Sequence, residues 1–223
     1  MPRAASSSAD PPAATRDQIV EAALGVFTEK GFDAASTREI ASRVGVNHGL
    51  ISYYFGSKQK LWRTAVDHAF EEVQGEVDAI DDRLGAPSPR ERAARMIHAH
   101  VRFVARRPEF VRLMYEEGKR KGERMRWMVD RHVKPLYDAV ARVTEQMPQS
   151  AGSELSPVHF FYVMAGASGL IFHQAEECRR VSGVDPFDPE VVETHARYVE
   201  QLLLGPSPVP GSEEAGAEEE SPS

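Results

Sequence analysis

Between Thr37 and Lys58 the chain gathers groups suited to one kind of chemistry. Thr37, Arg38, Asn47, His48, Gly49, Ser52, Tyr53, Tyr54 and Lys58 supply hydroxyls, an amide, an imidazole, phenols and two cations within one short stretch. Such groups hydrogen-bond phosphate oxygens and base edges. Bond-breaking chemistry has no comparable constellation. The sequence holds no nucleophile elbow, phosphate loop, HExxH pair or dinucleotide fingerprint, so no enzyme activity and no cofactor are expected. Cys178 is the single cysteine, which excludes an intrachain disulfide and any zinc site built from several thiolates. Helical metal ligands want spacings of three or four. His173 and Glu176, with Glu177 and Cys178 close by, satisfy that spacing and leave a metal-responsive role as the alternative reading. His98 and His100 stand two apart on a helix and point to different sides. The run Lys119-Arg-Lys-Gly-Glu-Arg-Met-Arg126 is the strongest basic segment; it reads as a solvated turn that could also attract an anionic effector or add to the field near DNA.

The elements that would position these groups are helices. Hydrophobic residues make up 41 % and charged residues 27 % of the 223 residues, as in ordinary globular proteins. No apolar run approaches the ~20 residues that span a bilayer, and the first residues lack the apolar core of a signal peptide, so a cytoplasmic protein without membrane contact is expected. Residues 1–14 and 205–223, rich in Ala, Ser, Pro, Gly and Glu, read as a disordered arm and a disordered acidic tail. Between them the apolar spacing and capping signals predict about nine helices, near 16–31, 37–44, 48–54, 58–83, 89–106, 108–118, 122–147, 156–179 and 189–204, and no strands. Thr15-Arg-Asp-Gln18 and Ser36-Thr-Arg-Glu39 read as capping boxes, and Asn47 and Ser57 as N-caps. Ser88-Pro89, Ser156-Pro157 and Asp188-Pro189 place a cap before a proline suited to the first helical position. Pro135 predicts a kink inside the seventh helix.

Charge does not point to nucleic acid. The net charge is −7, and residues 15–70 carry seven Lys/Arg against six Asp/Glu. The pattern does. Ile19, Ala22, Ala23, Val26 and Phe27 form one apolar helical face that Gly31 ends. Ala41 is small enough for a close helix crossing, and Gly45 suits the left-handed turn after it. Val44, Val46, Ile51 and Phe55 would fill the space between two helices, leaving short or polar groups outward, as a recognition helix requires.

These residues carry a resemblance. Residues 15–61, above all Ser-Thr-Arg-Glu-Ile-Ala-x-x-Val-Gly-Val and Ile-Ser-Tyr-Tyr-Phe-Gly-Ser-Lys-x-x-Leu, resemble the DNA-binding domain of the TetR family of regulators. The resemblance implies an all-α protein: a three-helix helix-turn-helix DNA-binding domain at 15–60, then a helical effector-binding and dimerisation domain at 61–204. It implies a homodimeric repressor on palindromic operator DNA, released by a small hydrophobic effector. Thr37 would bond a phosphate and Arg38 reach backbone or base. Asn47, His48 and Gly49 would open the recognition helix, and Gly49 would let the backbone approach the groove. Ser52 replaces a tyrosine common in the family. Tyr53 and Tyr54 would contact phosphate or brace the helix, and Lys58 would complete a phosphate clamp.

In the larger half, Ala165, Gly166, Gly169, Leu170 and His173 line one side of the eighth helix, and Val192, His195, Val199 and Leu202 recur along the ninth. The resemblance implies that these two helices pair with their symmetry mates. Phe103, Phe110, Met114, Trp127, Met128, Phe160, Phe161 and Met164, with Tyr137, are the aromatic and methionine side chains available to an effector pocket.

Overall fold

The computed structural model of the protein describes residues 13–82, 88–147 and 156–206. Most of the expected arm and tail, residues 1–12 and 207–223, lies outside them. Among the described residues the chain is all-α: α1 (Ala13–Ala34), α2 (Thr37–Val44), α3 (His48–Phe55), α4 (Lys58–Asp82), α5 (Pro89–Arg106), α6 (Pro108–Gly118), α7 (Glu123–Met128), a π-helical turn (Val129–Val133), α8 (Lys134–Glu145), α9 (Pro157–His173), α10 (Ala175–Ser182) and α11 (Pro189–Leu204). Since α7, the π turn and α8 run on without a break, these are ten helical rods rather than nine.

Local chemistry accounts for the ends. At Gly31 the backbone reaches φ 73°, ψ 163°, breaking α1 where a side chain would be strained. Thr15 lies inside the first turn of α1, so the capping box expected there does not start the helix. Ser36 caps α2 by accepting from the Arg38 amide, but Glu39 pairs with Lys30 and Arg43, so half of the second expected box is formed. Ser88 and Glu91 complete a reciprocal box at α5, with Pro89 opening the helix.

Two expected helices differ. The kink foreseen at Pro135 is spread over the π turn one turn earlier, where a wider ladder accommodates a ring that would crowd the Arg131 carbonyl. The helix expected over 156–179 breaks at Gln174 (φ −101°, ψ 32°) into α9 and α10.

Helices α1 and α3 pack on α4, and α2 packs on α1 and α3. The second half of α4 packs on α5, which also meets α8, α9 and α11, while α6 reaches back to α1. The apolar stripe of α4 (Leu61, Trp62, Ala65, Val66, Ala69, Phe70, Val73) is buried along most of its length. Three residues expected to face a partner instead face this chain's own core. A Cβ on Gly169 would stand 3.1 Å from Val111 Cγ1, so the missing side chain is what lets α9 close on α6. Val192 and Val199 are buried with Ala196 on the side of α11 facing α5 and α9.

The turn between α2 and α3 rests on Gly45 at φ 72°, ψ 27°. Its N–H bonds the Ser42 carbonyl, and the Val46 N–H bonds Ala41, a Schellman closure. A Cβ at Gly45 would meet nothing within 4 Å, so its cost is backbone strain alone. Gly45→Ala is expected to lower unfolding free energy by about 1–2 kcal/mol, with an unchanged denaturant slope in urea melts.

Candidate functional site

Once Gly45 has reversed the chain, α3 buries Ile51 and Phe55 and turns Asn47, His48, Gly49, Ser52 and Tyr53 outward. Tyr53 is 68 % exposed, its ring edge-on to that of half-buried Tyr54, which in turn leans on Phe55. Asn47 caps the helix, its Oδ1 accepting from the Gly49 amide at 2.7 Å. A Cβ on Gly49 would come within 3.1 Å of that oxygen, so this glycine protects the cap as well as thinning the outward face.

Thr37 and His48 meet across the turn, Oγ1 to Nε2 at 2.9 Å, tying the first turn of α2 to the first turn of α3. Neither residue was expected to hold the other; they lie eleven positions apart and only the tight crossing joins them. Arg38 is exposed. Lys58 donates to the Asp33 carbonyl at 3.1 Å and stands over the Phe32 ring, 4.7 Å from its centroid. All nine residues expected to meet DNA thus sit on α2, α3, their turn or the start of α4. Some of the cations nearby are paired internally. Arg43 is held between Glu29 and Glu39, and the Arg43 guanidinium keeps the Glu29 carboxyl below its ordinary range.

The basic segment after α6 is more than a solvated turn. Arg120 donates to Asp33 at 2.6 Å, and Arg124 lies 4.0 Å over Phe32, so this segment clasps the end of α1. A second junction lies at Arg107, whose guanidinium bridges Glu21 of α1 and Glu72 of α4. Arg107 is the main reason both carboxyls titrate below their ordinary range. His68 also meets Glu21, at 2.8 Å. Glu21, His68 and Glu72 converge as metal ligands would, but the Arg107 guanidinium already supplies their positive charge. The His173 set is not assembled. The helix breaks at Gln174, the His173 ring packs on Tyr115, and Glu176 pairs with Arg180 at 2.8 Å.

A cavity of about 430 Å³ opens among α4, α5, α6, the α7–α8 run and α9. Phe103, Phe110, Met114, Phe161 and Met164 line it. Trp127, Met128 and Phe160 do not. Trp127 packs on Trp62 at 5.5 Å, whereas Met128 and Phe160 are buried in the core. Tyr137 stands edge-on to Phe161. Ala165 and Gly166, expected at a partner, belong to the cavity wall. Sequence reasoning missed Phe70, Met96 and His100. The signal was there, since Met96, His100 and Phe103 recur at helical spacing on the apolar side of α5.

The site is thus a helix-turn-helix with an outward polar α3, carried on an all-α body with an apolar cavity. Residues 19–64 match the family described as bacterial regulatory proteins, tetR family. The chain is 33 % identical over 112 residues to the transcriptional repressor NicS of Pseudomonas putida, a match covering 48 % of this chain and 50 % of NicS. It is 24 % identical over 191 residues to the probable regulator YttP of Bacillus subtilis, covering 85 % and 91 % of the two chains. The aligned part thus spans about half the length of NicS but most of YttP. Among solved structures, the fold is similar to AibR in complex with isovaleryl coenzyme A and operator DNA (TM-score 0.68, 17 % identity, 86 % of this chain and 100 % of that one). It is also similar to Bacillus subtilis FadR in complex with stearoyl-CoA (TM-score 0.63, 17 % identity, 86 % and 100 %).

Burial pushes the His100 imidazole down to about 4. The unfolded chain therefore takes up this proton at a higher pH than the folded one does, and stability is lost as pH falls from about 6.5 towards 4. Unfolding free energy of the wild type should decline by up to about 1.4 kcal/mol per pH unit more steeply than that of His100→Leu in this window, measured by urea melts at stepped pH.

Proposed function

We propose that the protein is a homodimeric repressor that binds a palindromic operator through α2 and α3 and leaves it when a small hydrophobic effector fills the cavity. The observation that carries this reading is α6. It lines the cavity with Phe110, Val111 and Met114, and it packs on α1 of the DNA-binding half. A ligand that favours one placement of α6 over another would bias the placement of α3 by linkage.

In this reading Thr37, Tyr53, Tyr54 and Lys58 meet phosphates, and Arg38, Asn47, His48 and Ser52 reach the groove. The Thr37–His48 bond and the Lys58–Asp33 bond would be exchanged for bonds to DNA. The DNA-binding half extends to about residue 60, and the effector-binding half begins within α4, which runs through the boundary unbroken.

The partner surface lies on α9 and α11. Gly169, Val192 and Val199 are withdrawn from it by their burial, and His195 is directed to its own α9, donating to the Ala167 carbonyl at 2.9 Å. Leu170 and Leu202 remain, 53 % and 67 % exposed, and Tyr162 and Tyr198 join them at 66 % and 68 %. Exposed aromatic and aliphatic groups at helical spacing on two adjacent helices suit an isologous four-helix interface. Two such protomers present their α3 helices to successive major grooves, about 34 Å apart.

Fluorescence anisotropy with DNA from upstream of the gene itself tests the DNA reading. Saturable binding that outcompetes random duplex and weakens with salt is expected. Lys58→Ala should make the salt dependence shallower, by about 1 in slope for each protomer whose lysine no longer neutralises a phosphate. Equal, weak binding to every sequence, together with a selection from random DNA that returns no palindrome, would overturn it. For the dimer, Leu170→Glu with Leu202→Glu is expected to shift sedimentation to the monomer while the helical circular dichroism is retained.

A further inference from the structure

The cavity wall is more selective than a merely apolar site. Its aromatic and methionine side chains carry no charge, and among the described lining residues the one formally charged group is Glu76, whose carboxylate is paired with Arg106. Neither lysine nor arginine is found among those lining residues. Beyond Gly118 the wall meets the basic segment, where three cations are paired internally. Lys119 pairs with Glu116, Arg120 with Asp33 and Arg124 with Glu117. An anion entering here would leave water without gaining a counter-charge, and would meet the Glu76 carboxylate.

Besides the Tyr115 and Tyr162 phenols, the wall carries the imidazole of His100. His100 is half-buried, lines the cavity and has no hydrogen-bond partner among the described residues. Its burial keeps it neutral at physiological pH, so one ring nitrogen donates and the other accepts. A ligand group that completes this hydrogen bond within an apolar wall gains more than the same bond would give in water.

Resting on the reading of this cavity as the effector site, we propose that it takes an uncharged, largely apolar molecule with one hydrogen-bonding group directed at His100. It rejects anionic molecules, acyl-coenzyme A thioesters included. The volume of about 430 Å³ is at the lower end of the ~300–1,000 Å³ typical of small-molecule sites. It suits two or three fused or linked rings, or a medium alkyl chain ending in a hydroxyl or carbonyl.

Matched fluorescent probes test this on the full chain. N-phenyl-1-naphthylamine is neutral and carries one N–H; 1-anilinonaphthalene-8-sulfonate has the same skeleton with a negative charge; 1-benzylnaphthalene replaces the N–H by CH2. The neutral amine should bind saturably, one per protomer, and at least about tenfold more tightly than the sulfonate. Decanoyl-CoA should fail to displace it. His100→Leu should weaken the amine about fivefold to tenfold and leave the hydrocarbon unchanged, and His100→Gln, which keeps a donor and an acceptor, should restore part of the affinity. Equal affinity for the sulfonate, displacement by decanoyl-CoA, equal weakening of amine and hydrocarbon, or no saturable uptake of the amine would each overturn the inference. Operator binding by the ligand-free protein is scored separately. DNA binding with an unselective cavity overturns the ligand class and leaves the regulator reading standing, whereas selective probe uptake without DNA binding does the reverse.

Discussion

The apolar stripe of α4 is shared by both halves of the molecule, and the arrangement of the rest depends on it. Trp62 meets Phe32 from the helix-turn-helix half on one side and Trp127 from the α7–α8 run on another. Two turns further on, Phe70 packs on Phe110 of α6 and lies flat against His132 at 4.5 Å. Burying each such ring contributes roughly 1.5–3 kcal/mol, so neither half can shed α4 without losing much of its own core. Phe70 beside the cavity and Lys58 at the start of the helix thus lie on one unbroken element.

Ion pairs at the same junction set geometry more than they add strength. Arg107, Arg120 and Arg124 reach from the larger half to Glu21, Asp33 and Phe32, and several of these groups are partly exposed. Pairs of that kind contribute little each in water, but together they define how the two halves are rotated about α4. Several acids of the helix-turn-helix half are paired with cations, among them Glu29 and Glu39 with Arg43 and Asp33 with Arg120, while Arg38 is exposed and Lys58 meets a carbonyl and a ring face.

Where pattern and structure part, tertiary packing is the reason. The helix expected over 156–179 breaks at Gln174 although no proline or glycine stands there, so no local signal foretold it. With that break the His173, Glu176 and Cys178 spacing ceases to describe one helix face. Gly169, Val192 and Val199 have the residue types of a partner interface, yet they face their own core, because small and β-branched residues serve any close helix packing equally well. Trp127, Met128 and Phe160 show the same ambiguity. An aromatic or methionine on an apolar face is core or cavity wall according to what lies opposite, and that is decided by helices distant in sequence.

What the sequence by itself determined is everything set by neighbours along the chain. The Ser88-Pro89 start, the Asn47 cap, the left-handed turn at Gly45 and the period of α1 and α3 all act within a few residues, and the helix-turn-helix was legible from them. Tertiary structure alone decided which apolar faces meet, that Thr37 bonds His48, that Arg107 joins α1 to α4, and that His100 stands unpartnered on a cavity wall. The physical reason is range. Caps and turns are governed by backbone sterics and hydrogen bonds between adjacent residues, whereas a cavity is the space left when helices far apart in the chain have finished packing.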